Sequence, residues 1–186
     1  GELFEKKRAA ARKKLLHIAS VLVGYEAPDD AVLIATSGRY EFKNKGIDMY
    51  VDALNRLRLH YDGEREIIAF VLVPAWVNEP RADLLERLES GESYRTPLPD
   101  PYITHTLHNM AEDKVVNQIR YCGFPQKPES KLKIIFVPSY LTGNDGIVDL
   151  TYYDTLIGFD ATAFPSYYEP WGYTPLESIA FGVPSV

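Results

Sequence analysis

Hydrophobic positions along the chain follow two different periods. Over residues 2–23, Leu15, Leu16, Ala19, Leu22 and Val23 recur at helical spacing behind a run of bases, Lys6, Lys7, Arg8, Arg12, Lys13 and Lys14. The bases read as a solvated face, with an anionic ligand or partner as the alternative. Residues 31–36 are a short, unbroken apolar run, the pattern of a strand buried on both faces. A polar loop, 37–46, leads into a helix with Ile47, Tyr50, Val51, Leu54 and Leu57 on one face. Residues 67–73 form a second apolar strand. This strand–loop–helix–strand order predicts a parallel sheet with a right-handed crossover.

The rhythm then breaks. Pro74, Pro80, Pro97, Pro99 and Pro101 bracket one short helix over 81–89, and a longer helix is expected over 104–121. Residues 132–137 predict a third strand, 151–157 a brief helix and 160–164 a fourth strand. A final helix is expected over 174–181, followed by the opening of a buried strand at 182–186. The alternation of strands and helices predicts an α/β fold: a Rossmann-like parallel sheet with helices on both faces. There is no internal repeat or low-complexity tract.

Composition narrows the classes. A chain of 186 residues, 46% hydrophobic, suits one domain with a real core, or one and part of a second. The net charge of −6 argues against general nucleic-acid binding. A single cysteine, Cys122, excludes an internal disulfide framework and suits a reducing, cytoplasmic setting. No apolar run approaches the roughly 20 residues of a membrane span. The chain starts at Gly1 on a helix already under way and stops inside a strand pattern, as expected for a piece of a longer protein.

Chemistry concentrates in residues 163–177. Thr174 suits a helix N-cap, Pro175 the first helical position and Glu177 the carboxylate of a capping box. The amides of Gly172, Tyr173 and Thr174 would then sit at the positive end of that helix, where phosphate binds, with Gly172 allowing close backbone approach. Two carboxylates, Glu169 and Glu177, flank a turn rich in aromatic rings. A plain capped helix is the alternative, but it gives the rings and Glu169 no task. Arg39 and Lys45 lie in the loop after the first strand, at a carboxyl end where ligands of parallel sheets bind; two surface bases in a loop is the other reading.

Together these residues suggest a nucleotide-sugar site and glycosyl transfer. Arg39, Lys45 and the helix amides would stabilise the charge that grows on a departing diphosphate. Many such enzymes use a metal on an Asp-x-Asp pair; none occurs here, and two fixed cations are the consistent substitute. His105, His108 and Glu112 would share a face of the 104–121 helix and imitate a metal site, but a second ligand pair is lacking, so no metal is expected. Glu169 and Glu177 as the acid and nucleophile of a glycosidase would leave Arg39 and Lys45 idle.

Two stretches carry a resemblance. Residues 37–48, SGRYEFKNKGID, and 164–177, FPSYYEPWGYTPLE, closely resemble glycogen synthases of the animal and fungal type, and His108-Asn109-Met110 resembles a segment between them. Similarity runs, with gaps, along nearly the whole chain. The resemblance implies the C-terminal half of a two-domain (GT-B) retaining glucosyltransferase that moves glucose from UDP-glucose to an α-1,4-glucan without metal. Residues 1–186 would be a single, incomplete nucleotide-sugar-binding domain with a helical insertion at about 74–121. The N-terminal acceptor domain is missing, and the isolated piece is expected to be inactive. A catalytically inert UDP-sugar-binding module is the alternative.

By motif match, Arg39 and Lys45 would contact the donor diphosphate, and Glu169 would lie close to the transferred glucose. Glu177 would bind the ribose, Trp171 and Gly172 the glucose hydroxyls through their backbone, and Tyr173 and Thr174 the phosphates. Tyr152 matches a ring that stacks on uracil, with a helix-packing tyrosine as the alternative. The 74–104 segment is much shorter than in the animal and fungal enzymes, which points to a bacterial relative. It also leaves open whether the protein is a homo-oligomer. Neither nucleic acid nor membrane is expected as a partner.

Overall fold

A computed structural model describes residues 1–38, 45–168 and 176–183. Its elements are α1 (Glu2–Val23), β1 (Val32–Ser37), α2 (Lys45–His60), β2 (Ile67–Leu72), β3 (Val77–Pro80), α3 (Ala82–Ser90) and β4 (His105–Leu107). A 3-10 turn (Met110–Glu112), α4 (Lys114–Cys122), β5 (Leu132–Val137), α5 (Tyr152–Leu156), β6 (Ala161–Tyr168) and β7 (Leu176–Gly182) follow.

The main sheet has the order β5-β2-β1-β6-β7. Its first four strands are mutually parallel, with Ser37 level with Leu72 and Leu72 level with Val137. Because strand side chains alternate, each unbroken apolar run feeds two cores. Leu33, Ala35, Ile68, Phe70, Leu72, Ile135 and Val137 meet α1 and Leu84 of α3 on one face. Ile34, Ala69, Val71, Ile134 and Phe136 meet Tyr50, Val51 and Leu54 of α2 and Val115, Val116 and Ile119 of α4 on the other. Helices therefore cover both faces, as the strand–helix alternation predicts.

The free edge of β5 is closed locally. The Gln126 side chain accepts from the Ile134 amide (2.9 Å) and donates to the Ile134 carbonyl (2.9 Å), imitating a neighbouring strand. Further along, the Phe136 amide donates to the Tyr102 carbonyl at 2.7 Å.

Three expectations need correction. The basic turns of α1 are not all solvated: Arg8 donates to the carbonyls of Ile157 (2.7 Å) and Phe159 (2.8 Å), and Arg12 to those of Gly158 (3.1 Å) and Ala31 (2.9 Å). Both also reach Asp160. Their long stems cross from α1 to the start of β6, which a helical period does not reveal.

The helix expected over 104–121 begins only at Lys114. Thr104 and Thr106 are drawn into pairing with Phe136 and Glu79, and Asp113 caps α4 by accepting from the Val116 amide at 2.9 Å. His105 is thus a buried strand residue, and His105, His108 and Glu112 do not share a helix face.

Of the helix expected over 174–181, the described residues 176–181 form a strand instead. Leu176–Gly182 is β7, antiparallel to β6, with Glu177 opposite Tyr167 and Phe181 opposite Ala163. The far edge of β6 would otherwise leave a row of backbone donors and acceptors unpaired, and β7 satisfies them. Glu177 is therefore not in the first turn of a helix, and the capping-box reading falls.

Candidate functional site

The strand order creates a crevice. From β1 the chain steps outward through β2 to β5, then returns to the opposite side of β1 as β6. The order reverses between β1 and β6, and ligands of open α/β sheets bind outside the carboxyl ends at such a reversal. Thr36 pairs with Ala163, so the chain leaving β1 at Ser37–Gly38 and the stretch 164–168 of β6 emerge from one edge, side by side. These are the openings of the two motifs singled out in the sequence.

Of the predicted site residues, Tyr152 is placed most fully. It opens α5, whose N-cap Thr151 accepts from the Asp154 amide at 3.2 Å. The residue is 40% exposed, and its hydroxyl lies 2.6 Å from Ser37 Oγ, which sets it at the end of β1. Tyr153 meets it edge-on, with ring centroids 5.9 Å apart. Gly38, next to Ser37, takes φ +153°, and a Cβ there would meet nothing within 4 Å. The backbone of Lys45 is the first residue of α2, and that of Glu177 lies on β7 across from Tyr167. Arg39, Glu169, Trp171, Gly172, Tyr173 and Thr174 lie outside the described residues.

Two cavities open on the same edge. One, about 280 Å³, is lined by Gly38, Leu72, Pro74, Ser139, Tyr140 and Tyr152, among others. The second, about 450 Å³, shares Pro74 and Tyr140 with it and extends to Trp76, Asn109, Glu112 and Asp113. Trp76 and Tyr140 were not foreseen from the sequence. A tryptophan just after an apolar strand was the available signal. His105, singled out in the sequence only as an imitation of a metal ligand, has its Nε2 3.0 Å from the Asp145 carbonyl and its Nδ1 2.7 Å from Thr104 Oγ1. Burial holds its pKa below the ordinary value, although Asp145 pulls the other way, so His105 serves as an uncharged prop under the 145–149 turn. Among the described residues no group of three or more His, Cys, Asp or Glu side chains is arranged to hold a metal.

A parallel sheet covered on both faces, with cavities at the carboxyl ends of its strands, defines a Rossmann-like domain. A family model for glycogen synthase matches residues 22–89 and 92–186. The chain belongs to the glycogen synthase family.

Its relatives include the glycogen (starch) synthase of Neurospora crassa, 31% identical over 86% of this chain and 30% of the relative. Isoform 2 from Saccharomyces cerevisiae is 33% identical over 85% of this chain and 31% of its own. The Homo sapiens liver protein is 26% identical over 85% and 29%. The chain thus spans about 30% of the length of the curated relatives it matches. The match to the Neurospora protein runs over 212 positions, more than the 186 residues of this chain, so that relative carries extra residues within the matched region. No helix among the described residues is long and apolar enough to cross a membrane.

Proposed function

We propose that the protein is a retaining glucosyltransferase, acting without metal, that moves glucose from UDP-glucose to the non-reducing end of an α-1,4-glucan. This chain would supply the donor-binding domain. The observation that carries the reading is the pairing of β1 with β6, which sends both motif-bearing segments out of one sheet edge beside Tyr152. Family membership supports the reaction class. Arg39 and Lys45 neutralise the leaving diphosphate, assisted by the backbone of Tyr173 and Thr174. With Leu176–Gly182 in a strand, no helix over those residues shares the task, and the charge falls to these cations and to the backbone of Tyr173 and Thr174. Glu169 lies beside the transferred glucose, Trp171 and Gly172 hold its hydroxyls, Glu177 takes the ribose and Tyr152 stacks on the uracil.

The test is radiolabelled glucose transfer to glycogen by the full-length protein, offered UDP-glucose or ADP-glucose, with and without chelator. Chelator-resistant transfer with retained anomeric configuration is the expected outcome. The 186-residue chain alone, lacking an acceptor domain, is expected to transfer nothing. Arg39→Ala should weaken UDP binding by about 1.5–3 kcal/mol, the range for a hydrogen bond to a charged group. Equal calorimetric affinity in the variant removes Arg39 from the site.

A further inference from the structure

The chain leaves β1 at Ser37, two residues before Arg39. Ser37 is level with Leu72 of β2, and Thr36 before it donates through Oγ1 to the Ala163 carbonyl of β6 at 3.2 Å. The end of β1 is thus tied to strands on both sides, and the serine hydroxyl sits on a fixed backbone. That hydroxyl meets Tyr152, 115 positions further along the chain, with the two oxygens 2.6 Å apart and either able to donate.

Tyr152 depends on such a tether. Its backbone is held by the cap of α5: the Thr151 carbonyl accepts from Thr155 Oγ1 at 2.8 Å, and Thr151 pairs with Thr142 in an isolated bridge. Its side chain has less to lean on. The ring beside it, Tyr153, is itself 79% exposed and makes no fixed wall. Among the described residues only Ser37 bonds the Tyr152 hydroxyl. Without that bond the side chain is free to exchange between staggered rotamers. A ring already set in one rotamer loses less freedom when a flat ligand stacks on it. Tyr152, Gly38 and Leu72 also line one cavity of about 280 Å³, so the bond stands in the wall of the space beside the ring.

We infer that Ser37 is a positioning residue for the donor nucleotide: its hydroxyl holds the Tyr152 ring in the orientation on which a pyrimidine base stacks. The inference rests on the reading that Tyr152 takes the uracil of UDP-glucose. Ser37 acts through Tyr152 and touches neither base nor phosphate.

The test is a double-substitution cycle in the full-length protein. Wild type, Ser37→Ala, Tyr152→Phe and the doubly substituted protein are titrated by calorimetry with UDP and with pyrophosphate. Tyr152→Phe keeps the ring and removes only its hydroxyl. Each single substitution should weaken UDP about threefold to tenfold, the cost of immobilising one side chain on binding. The double variant should bind UDP no more weakly than the weaker single one, because the two hydroxyls act as one unit. Pyrophosphate has no base and should bind all of them alike. Ser37→Thr, which keeps a hydroxyl, should restore UDP affinity. Losses that add in the double variant, or unchanged UDP affinity in Ser37→Ala, overturn the role and leave the transferase reading standing. Pyrophosphate weakened alongside UDP in Ser37→Ala overturns it too, since the hydroxyl would then serve the diphosphate. A wild-type protein that does not bind UDP overturns both. If the coupled loss appears in a protein that transfers no glucose, the positioning role stands and the transferase reading falls.

Discussion

The two ends of the same four parallel strands are built on opposite principles. At the amino ends every buried charge is enclosed by partners. Lys133, its side chain fully buried, donates to Glu66 Oε1 at 2.5 Å and to the Ser130 carbonyl at 2.6 Å, and lies 4.2 Å over the Tyr25 ring. Tyr25 donates to the other Glu66 oxygen at 2.5 Å. Beside it, Asp160 accepts from the Leu33 amide at 2.8 Å and from Arg8 and Arg12. At the carboxyl ends, rings stand in solvent around open cavities. One end thus holds the sheet together through satisfied polar groups, and the other leaves surfaces free for a ligand. The lesson is that buried charge and ring exposure separate structural from functional residues better than residue type does.

Three perturbed titrations lie at the closed end. Burial pushes the Lys133 ammonium below the ordinary lysine range even though Glu66 opposes it. Burial, and then the Glu66 carboxylate, push the Tyr25 hydroxyl above its range. Burial alone would raise the Asp160 carboxyl, but the Leu33 amide, with Arg12 and Arg8, holds it below the ordinary value. Among the described residues these shifts belong to the closed end, and they mark a sheet clamp rather than catalysis.

The largest effect should come from the closed end. Glu66→Ala leaves the Lys133 ammonium buried without its carboxylate and should destabilise the protein by about 3–5 kcal/mol in urea unfolding. A loss below about 1 kcal/mol would show that Lys133 is already neutral there. Asp160→Asn should cost about 2–3 kcal/mol, less than a fully buried pair because Asp160 keeps some solvent contact. Its stabilisation is complete above the ordinary carboxylate value of 3.8 and disappears as pH falls through the lowered folded value. The variant should therefore lose stability less steeply than wild type in that acid range. The smallest effect on stability belongs to the open end. Tyr152→Ala should change unfolding free energy by less than about 0.5 kcal/mol. Nucleotide affinity should nevertheless fall by about 1–3 kcal/mol, the range for a ring stacked on a base. A large stability loss without a change in UDP binding would move Tyr152 to the structural side and break the comparison.

Much of the fold was legible because its strands are unbroken apolar runs and its main helices keep a clean period. The runs at 31–36, 67–73 and 132–137 and the helical faces of Leu15–Val23 and Ile47–Leu57 needed no tertiary information. The sequence singled out two dense motifs as the candidate site, and the structure sets their flanking strands side by side. Trp76 and Tyr140 escaped notice because a ring in the segment just after a strand has no period to betray its exposure.

What the residues determined by themselves was local: a continuous apolar strand must be covered on both faces, and a periodic helix must turn one face inward. What only the tertiary structure decided was which backbone groups found partners elsewhere. Residues 104–107 left the helical pattern because Phe136 and Glu79 offered pairing, and Leu176–Gly182 became a strand because β6 presented an unpaired edge. Arg8 and Arg12, alike in sequence to the lysines around them, became clamps because Asp160 and four carbonyls lay within reach of their guanidinium groups. Hydrophobic period is a property of neighbours along the chain, whereas hydrogen-bond satisfaction is a property of neighbours in space.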